Sequence, residues 1–210
     1  KYANYKIKCL DPNLLIDTVL PPDNIVGSVV YPACEIVRPG TIKHIAGNRF
    51  SLGEPEGSES DRLKFISEIL KRAGFRAPIQ KNIRDEIWLK LIGNLSFNPI
   101  SALTGATLEQ ICNDQGTEAI VRAMMTEAKI IAEELGAKIN MSLEKRIEGA
   151  RKVGAHKTSM LQDIEAGKPI EIDSIIIAVK ELGELTCSPT PYIDTILNLT
   201  LQKAKLIGCL

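Results

Sequence analysis

The stretch KNIRDEIWLKLIGNLSFNPISALTG, residues 81–105, decides how this chain is to be read. Ile87, Leu91 and Leu95 recur every four residues, and Trp88 and Ile92 widen the stripe into the buried face of a helix. Lys90, Asn94 and Asn98 repeat at the same spacing on another face. A helix stacks such residues in a slowly drifting row, with about 6 Å of rise between neighbours. Asn forms helices poorly, and Gly93 and Pro99 are worse, so this segment gives up helix propensity for amides around one lysine. Spacing alone leaves two readings open, a solvated face and a polar row turned toward a ligand.

N-terminal to this helix the signals are mixed. Residues 1–23 carry no clear period, with turns at Asp11-Pro12-Asn13 and Pro21-Pro22 around a short apolar piece, residues 14–20. Residues 25–31 (IVGSVVY) are β-branched and nearly continuous, as in a buried strand. After the turn at Arg38-Pro39-Gly40, residues 41–45 and 49–52 are expected to pair across Ala46-Gly47-Asn48. Ser58 or Ser60 opens an amphipathic helix over residues 61–73, and Ala77-Pro78-Ile79 reads as a brief edge strand.

C-terminal to it, no convincing strand occurs. Thr107 to Gln110 has capping-box spacing. Helices are expected over residues 117–135, from Ser142 to the stop at Gly154, and from Ser159 to Ala166 behind a Thr158 cap. A nearly all-apolar helix over residues 173–185 and a last one capped by Thr190-Pro191 complete the set. The fold class is therefore α+β, with mixed structure over residues 1–81 followed by an all-helical bundle over residues 82–210.

Composition bounds the function. Lys plus Arg and Asp plus Glu balance at 26 each, so no net field attracts nucleic acid or an anionic membrane, and aromatics at 4% argue against base stacking. No apolar run approaches the roughly 20 residues of a membrane span. The five cysteines are odd in number and lack a CxxC pair, which reads as reduced thiols in a cytoplasmic protein. With only His44 and His156, a multi-histidine metal centre is excluded. The chain begins at Lys1 without an initiator Met, which suggests a fragment, and it contains neither GxGxxG nor GxxxxGK[ST].

Two further places are over-polar for a bundle. At residues 154–160, GAHKTSM, a helix start sets free backbone N–H groups beside His156 and Ser159, as a carboxylate ligand or a simple cap would use them. Glu171 and Asp173 precede the apolar helix, where acids also serve as dipole partners. Lys90 suits protonation of a carbonyl oxygen if a partly dry pocket tunes it. His156 reads as a capping or packing residue rather than a base, His44 as structural.

The segments NIRDEIWLKLIGNLSFNPISAL (residues 82–103), HKTSMLQD (156–163) and Glu171-Ile172-Asp173 resemble the 2-dehydropantoate 2-reductase (ketopantoate reductase) family. SVVYPACEIVRPGTIKHIAGNRFSLGEP is similar to the end of that family's dinucleotide-binding domain. The resemblance covers essentially the whole chain. It implies that residues 1–81 are the remnant of a Rossmann-type NADPH-binding domain whose phosphate turn lies outside this chain, and that residues 82–210 bind substrate and dimerise. It implies NADPH-dependent reduction of 2-dehydropantoate to pantoate, with Lys90 as proton donor to the keto oxygen. Asn94, Asn98, Ser159 and His156 would hold the substrate, and Glu171 and Ala33 would face the cofactor. Some members have Asn where this chain has His156, and a further Asn near Leu108, so another branched 2-oxo acid stays open as substrate. So does a module that only binds or forms a homodimer, although such a bundle has no need for these polar residues to converge. Lys90, Asn94, Asn98, Ser159 and Glu171 are expected to line one cleft facing the β section.

Overall fold

A computed structural model describes residues 2 and 5–210. By contacts the chain divides into two units, residues 16–87 in one and residues 1–15 with 88–210 in the other.

The smaller unit takes in nearly all of the short helix α1 (Leu15–Val19) and holds four strands, β1 (Gly27–Val30), β2 (Ala33–Arg38), β3 (Thr41–Ala46) and β4 (Phe50–Gly53), then helix α2 (Asp61–Arg72). β1 pairs antiparallel with β4, Gly27 opposite Gly53 and Val30 opposite Phe50. β2 pairs antiparallel with β3 around Pro39-Gly40, with register shifts that mark bulges. This corrects the expected hairpin. Residues 41–45 pair backward with 33–38, a strand that alternation did not reveal, while residues 50–53 return to β1. The expected strand at residues 77–79 is reduced to single parallel bridges, Arg49 with Arg76 and Leu52 with Ile79.

The core of this unit is small: Leu52, Leu63 and Ala77, flanked by Val26, Ile66, Leu70 and Ile79. Ser60 caps α2, its hydroxyl accepting from the Leu63 N–H at 3.1 Å. Glycine is required at Gly53, where a Cβ would stand 2.7 Å from Cβ of Ile83 and 2.9 Å from the Gln80 carbonyl oxygen. That close approach seats the β1–β4 pair on the first turn of the next helix. Glu86 fastens the same corner, accepting from the hydroxyls of Tyr31 and Ser51 at 2.9 Å each and from Arg49 at 2.6 Å.

That next helix is α3 (Ile83–Thr104), and six more follow: α4 (Leu108–Asn113), α5 (Gln115–Glu134), α6 (Leu143–Val153), α7 (Ser159–Glu165), α8 (Ala178–Thr186) and α9 (Pro191–Ile207). A π-helical turn, Asp173–Ile177, leads into α8. The all-helical bundle is as the periodicity required. Its core is built round α5, where Val121, Met124, Met125, Ala128 and Ile131 are fully buried, with Ile92, Leu95, Ile111, Ile147, Ile176, Val179 and Ile193 closing on them. On α3 the stripe buried in the bundle core starts at Trp88. Ile87, expected in it, is 43% exposed.

The Thr107–Gln110 capping box forms, and Asp114, Ser142 and Thr158 cap α5, α6 and α7. Thr190 does not cap α9. The buried carboxylate of Glu127 takes that role from α5, accepting from the Tyr192 and Ile193 N–H groups at 2.9 Å each. Glu181 of α8 likewise holds the N-terminal segment, accepting from the Tyr5 hydroxyl at 2.8 Å and from the Lys8 and Cys9 N–H groups at 2.6 and 3.0 Å.

Candidate active site

α3 carries the polar row because its weak formers are spent on one side while Trp88, Ile92 and Leu95 anchor the other. Pro99 sits inside the helix and lacks the N–H that would bond back one turn, which loosens the backbone just after Asn98. Along the row burial increases: Lys90 and Asn94 are half-buried, and Asn98 is 5% exposed.

Burial lowers the pKa of Lys90, because water that would solvate the ammonium is excluded. The carboxylate of Glu171 works against this and raises it. Asn98 donates through Nδ2 to the Ser159 hydroxyl at 3.5 Å, a long contact that ties α3 to the first residue of α7. Thr158, which precedes Ser159, turns its hydroxyl inward to accept from the Leu161 N–H at 3.3 Å, and Ser159 itself is left exposed. Two pairs therefore emerge within the helical unit, Lys90 with Glu171 and Asn98 with Ser159.

The remaining sequence candidates fall differently. His156 has an exposed side chain, and its carbonyl accepts from the Leu108 N–H at 3.0 Å, so its fixed contribution is to hold the start of α4. Ala33 opens β2 in the other unit. Cys9 and Cys112 are not poised for nucleophilic work. Burial and the neighbouring Glu181 push Cys9 up to about 11, and burial raises Cys112.

One residue beside the row escaped the sequence reading. Arg146 of α6 lays its guanidinium on Gly93: a Cβ at position 93 would stand 2.8 Å from both Cζ and Nε of Arg146, and closer still to Nη2. The signal was a mid-helix glycine with no turn to explain it, but nothing in the sequence names the side chain that uses the space.

The row sets a partly desolvated ammonium and two side-chain amides along one helix, the chemistry that polarises and orients a small polar molecule. Among the described residues, no helix is long and apolar enough to cross a membrane.

Residues 82–204 match the family model described as ketopantoate reductase PanE/ApbA C terminal. A 2-dehydropantoate 2-reductase of Mesorhizobium japonicum is 51% identical over 204 residues, 97% of this chain and 63% of that protein. This chain thus spans somewhat under two thirds of that relative's length. Among solved structures, a protein from Ralstonia solanacearum described as a candidate ketopantoate reductase superposes with a TM-score of 0.95 at 40% identity, over 100% of this chain and 64% of the other. D-mandelate dehydrogenase, solved with NADH and anilino(oxo)acetate, shares the fold at a TM-score of 0.82 and 21% identity, over 92% of this chain and 64% of its own. With the family model matching more than half of its residues, this chain belongs to the ketopantoate reductase family and covers its C-terminal, helical part.

Proposed function

We propose that this chain is the substrate-binding part, with the end of the dinucleotide-binding domain at residues 1–81, of an NADPH-dependent reductase that converts 2-dehydropantoate to pantoate. The observation that carries the reading is the half-buried Lys90, lowered by burial and opposed by Glu171, on the helix that the family model covers.

Lys90 acts as the general acid. As the keto carbon is reduced, charge grows on its oxygen, and an ammonium with a lowered pKa gives up its proton more readily than a solvated one. Glu171 opposes that lowering and favours the protonated form. Asn94 and Asn98 orient the substrate's hydroxyl and carboxylate oxygens, with Ser159 beside Asn98. The reduced nicotinamide supplies the hydride when bound. Glu171, an exposed carboxylate, fits the amide and hydroxyl donors of that cofactor.

A second reading, reduction of a different branched 2-oxo acid, draws on the exposed His156 and on Leu108 where some family members carry Asn. NADPH oxidation measured with 2-dehydropantoate and with 3-methyl-2-oxobutanoate, on the protein joined to a complete dinucleotide-binding half, separates the two. A higher kcat/KM for 2-dehydropantoate is expected. Turnover of neither contradicts the reductase assignment.

A further inference from the structure

Glu171 stands between two residues that face the core: Ile170 and Ile172 are 8% and 3% exposed, while Glu171 is open to solvent. The segment that carries them is tied down at the main chain. The Lys168 N–H donates to the Asp163 carbonyl of α7 at 2.8 Å, and the Ile175 N–H donates to the Glu171 carbonyl at 3.2 Å. Between these two bonds, the Ile170 N–H donates to the Cys209 carbonyl at 3.0 Å, joining parts of the chain far apart in sequence.

Cys209 reaches that place because α9 ends in a reversal. Gly208 is left-handed, with φ 69°, and the Cys209 N–H folds back to the Ala204 carbonyl at 2.9 Å. Cys209 is itself buried, so the turn is packed and its carbonyl is aimed. A partner for a buried N–H is ordinary in itself. This one adjoins the residue whose carboxylate acts through space on Lys90. Such an influence falls with distance, so it depends on where the segment is held.

We propose that Gly208 and Cys209 are positioning residues for the Lys90–Glu171 pair: the Cys209 carbonyl, through Ile170, holds Glu171 within reach of the lysine. The assignment rests on the reductase reading, in which Lys90 is the acid. It adds to that reading two residues that touch no substrate and act through Glu171.

The test is an NMR titration of Lys90 in this chain, labelled with carbon-13 at lysine Cε, the signal being assigned by its loss in Lys90→Met. Circular dichroism establishes that each variant is folded. Glu171→Gln should lower the Lys90 pKa, since the raising influence is lost. Gly208→Pro, which cannot adopt a positive φ, should lower it too and by no more. Combined with Glu171→Gln it should add nothing, because both changes act through one carboxylate. Gly208→Asn, which tolerates left-handed backbone, should leave the lysine at its native value. If Gly208→Pro does not fold, Gly208→Val is read in its place. A lysine unmoved by Glu171→Gln or by the broken turn, or moved by the turn equally with and without Glu171, would overturn the assignment. So would failure of both broken-turn variants to fold, which would make the turn a support of the whole bundle. The titration involves neither cofactor nor turnover, so its failure leaves the reductase reading standing, while failure of the NADPH oxidation assay contradicts that reading alone.

Discussion

Lys90 on α3 and Glu171, two residues before the π-helical turn, form an electrostatic pair in which burial lowers the lysine and the carboxylate raises it. Burial is the larger of the two effects. If Lys90 is the general acid, as proposed, the pair sets a pH window, since such an acid must be protonated to donate and weakly held to donate fast.

Removing the carboxylate therefore has a signed consequence. In Glu171→Gln the raising influence is lost, the Lys90 pKa falls further, and the basic limb of kcat/KM against pH moves to lower pH. A limb that stays in place would separate Glu171 from the lysine.

Stability should carry a pH signature from the other unit. Hydrogen bonds from Arg62 and then Ser60 to the buried Glu54 lower its pKa from 4.5 to about 2. Between those values the unfolded chain takes up the proton and the native chain does not. The stabilisation is thus complete above about 4.5 and disappears as pH falls through about 2. The difference in Tm between the native protein and Glu54→Gln should shrink steadily as pH is lowered from 5 to 2. A constant difference would deny the carboxylate its charge-dependent role.

Glu127 gives a prediction independent of pH. Glu127→Ala strands the buried Ile193 N–H and frees the partly buried Tyr192 N–H, and should lower stability by about 1–3 kcal/mol, the cost of an unsatisfied buried donor. Urea unfolding of the two proteins measures it, and a loss under about 0.5 kcal/mol, the level of an ordinary surface substitution, would mean that water or Thr190 caps α9 instead.

The contrast between Glu127 and Thr190 also shows what the sequence could reveal. Ser60, Thr107, Ser142 and Thr158 were legible as caps because each bonds to its own helix three residues on. Thr190 in front of Pro191 reads the same way, yet a carboxylate about sixty positions earlier in the chain does its work. Strand pairing was obscure for the same reason. Residues 41–46 had two acceptable partners, and the local turn at Pro39-Gly40 decided in favour of β2. The row on α3 was legible by spacing, because period fixes which side chains share a face. Its neighbours elsewhere in the chain, Glu171, Ser159 and Arg146, follow from packing; the first two stood out only as polar residues at helix starts and through the family motifs, and Arg146 did not stand out at all.

The most direct measurement is kcat for Lys90→Ala, taken with NADPH and 2-dehydropantoate on the protein joined to its dinucleotide-binding half. If Lys90 is the general acid, kcat should fall by about 10²–10⁴-fold. Substrate affinity should change far less. An unchanged kcat would contradict the account at its centre.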